Sequence, residues 1–364
     1  MEIKFNAKDF LEVLNKIKHI ARFDKSCNIL SNGIFETTED GLKITVSSLL
    51  NRAEINAEVI VIEPGKCLIE IDKLTAIIST LTGETFIEEK DNVIWIKSGK
   101  TKCRLDKNLL EDYPENLFGF SNSECTFKIS SDALIEGIKK TEKFTAKAEN
   151  SMLSGINLKI DNNMAKFAAT DGNKLAYILK CSKSSDAFCD IIIPYDSAMN
   201  MLPLFSADTD IEVFVEKGIC KFLFHNAEGS VIFSTRLLEG QYPKFEQLIP
   251  KESQINFELN KDELKKALER ISVVESKDDK CIVLLSVKGS LLTVEAKDYK
   301  CNDILTLSEK SGDDISFALN RIFLDTVLNV LSTDNIRFCM NTPLSAVLFP
   351  DMEHKYMIMP MTIK

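Results

Sequence analysis

A chain of 364 residues is long enough for two or three compact units, each burying its own core, and too long for one small domain. Its 45 % hydrophobic and 27 % charged residues exclude a disordered or fibrous chain. A formal net charge of -10 excludes a coat protein held on nucleic acid by bulk positive charge, though not a local basic face.

The N-terminus, MEIKFNAKDF, alternates charge where a secretory signal would carry an apolar run. No apolar run reaches the roughly 18 residues of a membrane helix, so the expectation is a cytoplasmic protein with no membrane partner. Residues 1–17, 125–141 and 255–271 superimpose without gaps, as MEIKFNAKDFLEVLNKI, CTFKISSDALIEGIKKT and INFELNKDELKKALERI. Each opens with strand alternation: Ile3 and Phe5, Phe127 and Ile129, Phe257 and Leu259. Asn6, Ser130 and Asn260 then stand where a side chain can accept from the orphan N–H groups of a first helical turn. Apolar residues follow at helical spacing, with Phe10 and Leu14, Leu134 and Ile138, and Leu264 and Leu268 as the buried stripe.

The repeat continues past this helix. Hairpins are predicted from Gly33, Gly155 and Ile282, turning at DG, DNN and KGS. A second strand and helix follow in 68–81, 190–205 and 314–331, and a closing hairpin in 92–105, 218–237 and 335–349. The expected fold class is therefore α+β: three similar domains, each with two helices packed on antiparallel sheet, at 1–121, 122–253 and 254–364.

On this repeat sit ATDGNKLA (169–176), LLEGQYPKFEQLIP (237–250) and a terminal MPM at Met359 to Met361. In that order and at this length, they make the whole chain resemble the bacterial DNA polymerase III beta subunit, the replicative sliding clamp. The resemblance implies a DNA clamp fold closed as a head-to-tail homodimer ring, with helices lining the hole. It implies non-specific encirclement of double-stranded DNA and no cofactor. The implied partners are the replicative polymerase alpha subunit, the clamp loader complex, and repair and translesion polymerases that bind through linear peptides.

The resemblance, with the basic helix residues, implies DNA contacts at Lys25, Lys73, Lys139, Lys140, Lys143, Lys147 and Lys174. By composition alone, lysines and arginines on a helix are usually just a solvated face. Asn173 stands where the family often has histidine, and Tyr195 where a basic residue is common. A peptide pocket is implied at Thr170, Gly172, Lys174, Leu175, Pro243, Leu248, Asn320, Phe323, Leu344, Ile358, Met359, Pro360 and Met361. Its Leu, Phe and Met supply a deformable apolar surface, and Asn320 a hydrogen-bonding group for a bound peptide. For Leu175 and Leu248, domain-junction core is an equal alternative. Thr362, Ile363 and Lys364 replace the usual Arg-Leu ending, and Gln247 stands where arginine is frequent.

Nothing supports catalysis or a metal. Neither G-x-x-x-x-G-K-[ST] nor G-x-G-x-x-G occurs, the three histidines are far apart, and the ten cysteines form no C-x-x-C pair and read as reduced core thiols. Asp208 and Asp210 read as a turn. Two alternatives stay open: a repeat-based interaction scaffold that never meets DNA, and a nucleic-acid-processing enzyme on the same scaffold.

Overall fold

The computed structural model describes residues 1–21, 27–39, 41–91, 93–114, 117–120, 126–148, 151–184, 187–226, 229–274, 281–297 and 300–362. The first repeat runs β1 (Glu2–Asn6), α1 (Ala7–Ile17), β2 (Asn32–Thr38), β3 (Gly41–Ser47), β4 (Asn51–Ala57), β5 (Ile60–Glu63), β6 (Lys66–Glu70), α2 (Ile71–Ile78), β7 (Glu84–Lys90), β8 (Val93–Ser98) and β9 (Thr101–Asp106). The second runs β10 (Phe127–Ser130), α3 (Ser131–Thr141), β11 (Gly155–Asp161), β12 (Met164–Thr170), β13 (Lys174–Cys181), β14 (Phe188–Pro194), α4 (Tyr195–Met201), β15 (Asp210–Glu216), β16 (Ile219–Asn226) and β17 (Gly229–Arg236). The third runs β18 (Ile255–Asn260), α5 (Lys261–Val274), β19 (Ile282–Lys288), β20 (Leu291–Ala296), β21 (Asn302–Thr306), β22 (Glu309–Ser311), β23 (Ile315–Asn320), α6 (Arg321–Val330), β24 (Asn335–Met340), β25 (Val347–Asp351) and β26 (His354–Ile358).

The predicted caps form. Asn6 Oδ1 accepts from Lys8 N at 2.9 Å, Ser130 Oγ from Ala133 N at 3.3 Å, and Asn260 Oδ1 from Asp262 N at 3.0 Å. Each satisfies a donor that the helix leaves orphaned, so strand passes into helix without a loop. The apolar stripe then packs inward. In α1, Phe10, Leu14 and Ile17 are buried, and Phe10 stacks on Phe5 with ring centroids 4.0 Å apart. In α3, a Cβ on Gly137 would meet the Phe167 ring at 2.5 Å, so the missing side chain is what lets the sheet approach the helix.

The structure adds strands that the sequence reading left out. β4, β13 and β21 follow the first hairpin of each repeat, β7 and β15 follow the second helix, and β26 follows the last hairpin. These additions extend the sheets across the repeat boundaries. By contacts the chain divides into two units: Met1–Glu136 with Ile160–Met164 and Cys181–Glu239, and Gly137–Lys159 with Ala165–Lys180 and Gly240–Lys364. In the first unit, one sheet runs β5-β1-β7-β8-β9 and another β10-β15-β16-β17-β4-β3-β2-β6. The join is antiparallel β17 on β4, with Ser234 opposite Arg52. In the second unit, neighbouring strands run β11-β12-β13-β26-β25-β24-β18-β22, joined by β26 on β13 with Lys174 opposite Ile358, and a separate sheet runs β21-β20-β19-β23.

The cysteines divide. Cys67, Cys189, Cys220 and Cys339 are buried, whereas Cys181 is exposed and Cys27, Cys103, Cys281 and Cys301 are half-buried, so the reading of all as core thiols is too broad. Among the described residues no helix is long and apolar enough to cross a membrane, and no cluster of His, Cys, Asp and Glu is placed to hold a metal.

Candidate functional site

Every residue expected to line the peptide pocket falls in the second unit, around the β13–β26 join. The turn from β12 into β13 is built by its own side chains. Thr170 Oγ1 donates to the Lys174 carbonyl at 2.7 Å and accepts from Gly172 N at 3.1 Å, while Asp171 Oδ1 accepts from Asn173 N and Lys174 N at 2.9 and 3.0 Å. Gly172 has φ +92°, a conformation that a side chain disfavours. The C-terminal segment lies along this turn: Met359 N donates to Asn173 O and Met361 N to Ala318 O, both at 2.8 Å. Pro360, which has no N–H to satisfy, sits between the two bonds.

Lys174 is the charged centre. Its side chain is 8 % exposed and its Nζ lies 2.7 Å from Asp171 Oδ2, with the Phe144 and Phe323 rings 5.7 and 5.4 Å away. The carboxylate and the two ring faces compensate the desolvation of this side chain. Asn320 Oδ1 accepts from Ile322 N at 2.9 Å and Phe323 N at 3.3 Å, so this side chain caps α6 and orients Phe323. The linker of residues 240–248 is pinned by two buried aromatics. Tyr242 Oη accepts from Thr170 N at 3.0 Å, and the Phe245 ring lies 5.3 Å from that of Tyr177. Burial pushes the Tyr242 phenol up to about 12.

Leu175 and Ile358 are buried, whereas Pro243, Leu248, Leu344 and Met359 are exposed. Leu344 lies in the turn leading to Val347, which pairs with Ile358. The arrangement is an apolar surface with fixed backbone and one enclosed ion pair. Chemically it suits docking and offers no nucleophile or general base in a reactive setting.

The basic residues separate into two groups. Lys139, Lys143 and Lys147 are exposed along and just beyond α3. Lys140, from the same run, turns inward: its Nζ lies 3.5 Å from the buried Asp351 carboxylate and donates to Ser332 Oγ at 2.7 Å. Lys73 pairs with Glu70 at 2.7 Å. Lys25 lies outside the described residues. Sequence reasoning missed the Lys140–Asp351 pair because Asp351 is remote in the chain, and it missed the capping role of Asn320, although Asn6 and Asn260 carry the same signal.

Three kinds of comparison bear on the fold and the family. Residues 128–244 match the model for the central domain of the DNA polymerase III beta subunit, and residues 246–362 the model for its C-terminal domain. A beta sliding clamp of Streptococcus pneumoniae is 25 % identical over 353 residues, 92 % of this chain and 91 % of that protein, and one of Haemophilus influenzae is 22 % identical over the full length of both. Among solved structures, the beta subunit from the DNA polymerase of Streptococcus pyogenes has a TM-score of 0.91 at 22 % identity, and the Bacillus subtilis sliding clamp 0.90 at 20 %, each covering 100 % of both chains. The fold is thus that of a three-repeat sliding clamp. The chain belongs to the bacterial DNA polymerase III beta-subunit family.

Proposed function

We propose that this protein is the non-catalytic sliding-clamp subunit of a replicative polymerase, that it encircles double-stranded DNA as a head-to-tail dimer, and that it tethers partners through the β13–β26 site. The observation that carries the reading is a pair of leftover strand edges. The first repeat lends β4 to β17 of the second, and the second lends β13 to β26 of the third. The same rule leaves β21 of the third repeat and β9 of the first as sheet ends among the described residues. Pairing β21 of one copy with β9 of another extends the rule and closes a two-copy ring, because each copy has one edge of each kind.

The flanks of these edges support closure. Val273 at the end of α5 and Ile304 in β21 are 83 % and 65 % exposed, and Arg270 Nε donates to Asp303 Oδ2 at 2.8 Å, tying that helix to the strand. Leu109, just past β9, is also exposed. Isolated apolar side chains mean little, but here they accompany an open strand edge on each side.

In this reading the domains are 1–121, 122–253 and 254–364. Lys139, Lys143 and Lys147 contact phosphates without reading sequence, which permits sliding. Linear peptides of the polymerase alpha subunit, the clamp loader, and repair and translesion polymerases occupy the apolar surface from Leu248 to Met359. The work is done in the cytoplasm. The test is retention on DNA: loaded onto a nicked circle, the protein should stay bound through gel filtration in high salt and be released when the circle is cut. Equal loss from circular and linear DNA would refute encirclement.

A further inference from the structure

The hydrogen bonds that build the docking turn recur in the first unit, at the β4–β17 join. Leu50 N and Asn51 N donate to Ser48 Oγ at 3.3 and 3.0 Å, as Asn173 N and Lys174 N donate to Asp171 Oδ1 at 2.9 and 3.0 Å. At the end of β17, Arg236 N donates to Leu50 O at 3.0 Å, and just past it Leu238 N donates to Ile192 O at 2.9 Å. These match the bonds from Met359 to Asn173 and from Met361 to Ala318. The linkers agree as well: Leu109-Leu110-Glu111-Asp112-Tyr113-Pro114 parallels Leu237-Leu238-Glu239-Gly240-Gln241-Tyr242-Pro243. Tyr113 is buried beside Ser47, as Tyr242 is buried against Thr170.

The side chains on this shared frame differ in a directed way. Leu49 and Leu50 replace Gly172 and Asn173, and they stand 48 % and 44 % exposed. Two adjacent leucines held out at a turn gain nothing for folding, whereas a bound apolar side chain would cover them. Beside them lies the exposed Arg236. Its Nε donates to Leu49 O at 3.2 Å and one terminal nitrogen to Leu117 O at 3.3 Å, with the Phe118 ring 5.5 Å from its Cζ. Those bonds fix the guanidinium and leave N–H donors for a carboxylate. At the position matching Phe323, third in its helix, stands Ser197, buried and accepting from Thr235 Oγ1 at 2.8 Å. This site therefore lacks the ring that Phe323 supplies at the other join.

We propose that the β4–β17 join is a second docking site for a short linear peptide, one that presents adjacent large apolar side chains next to a carboxylate. The proposal rests on the reading of the β13–β26 join as a peptide site, and the test separates the two. The probe is the synthetic peptide acetyl-Ser-Asp-Leu-Leu-Phe-Ser-amide, titrated into the full-length protein while amide hydrogen exchange is followed at 48–51 and at 171–175. Protection is expected in both segments, with 48–51 requiring about tenfold more peptide because it has fewer apolar contacts. Leu50→Asp, a change at an exposed turn, should abolish protection at 48–51 alone, with Leu49→Asp as a second variant. Phe323→Ala should abolish it at 171–175 alone. Protection confined to 171–175 in the wild type would overturn the second site and leave the first standing. Protection in neither segment would overturn both. Protection of 48–51 that needs no peptide and grows with protein concentration would show that a second copy covers the leucines, and would also overturn the proposal.

Discussion

The Lys140 ammonium and the Asp351 carboxylate form an ion pair at 3.5 Å in which the Asp351 side chain is fully buried and that of Lys140 nearly so. Ser332 N donates to Asp351 Oδ2 at 3.0 Å, while Oδ1 has no hydrogen-bond partner among the described residues. A buried carboxylate with one unsatisfied oxygen depends on the ammonium that faces it. Lys140→Ala should therefore destabilise the protein by about 3 kcal/mol, the usual cost of stripping one partner from a buried pair, as read by denaturant unfolding. A loss under 1 kcal/mol would mean that Lys140 behaves as a surface lysine.

The neighbouring lysines should behave in the opposite way. Lys139, Lys143 and Lys147 are exposed, so replacing them with glutamate should leave the melting temperature unchanged. The slope of log affinity for duplex DNA against log salt should become shallower by about 0.9 for each phosphate that is no longer neutralised. Lys140→Ala should leave that slope nearly unchanged. An unchanged slope in the triple variant would remove these residues from the DNA face.

Truncation after Ile358 deletes residues 359–364, among them Met359 and Met361, whose backbone bonds dock the segment on Asn173 and Ala318. Peptide binding at this site should be lost, and stability should fall by only about 1 to 2 kcal/mol, since two hydrogen bonds are removed at a chain end. Dissociation of the dimer by this truncation would show that the segment serves assembly instead.

Alkaline pH should loosen the linker at Tyr242. Its phenol is raised from 10.0 to about 12 by burial, so the folded state holds the proton where the unfolded chain has lost it. The corresponding stability is fully present below pH 10 and is lost as pH rises toward 12, a fall of roughly 2 kcal/mol. In Tyr242→Phe the pH dependence over this window should flatten. An equally steep fall in the variant would assign the effect to other groups.

What the sequence displayed, and what it hid, follow from the range of the interactions. Asn6, Ser130 and Asn260 were legible as caps because a cap bonds within three residues. The apolar stripes were legible because helical period and burial coincide at Phe10 and Leu14. β4 and β13 were passed over: NRAEINA alternates, but its inward positions are mostly small or polar (Asn51, Ala53, Ala57), and one of its two partners, β17, lies far along the chain. Leu175 and Leu248 illustrate the same limit at the site. Both are leucines near a junction, yet one is core and the other exposed, a difference set by tertiary neighbours that no local pattern records. The run from Lys139 to Lys147 reads as one basic face, and only the distant Asp351 reveals that Lys140 leaves it.

Ring closure through β9 and β21 is the central claim, and mass and shape in solution test it most directly. Light scattering with in-line X-ray scattering should give twice 41.0 kDa, about 82 kDa, and a profile that requires a central hole. Val273→Asp with Ile304→Asp should convert the particle to a monomer of 41.0 kDa without unfolding it. A wild-type monomer, or a compact dimer with no cavity, would contradict the ring.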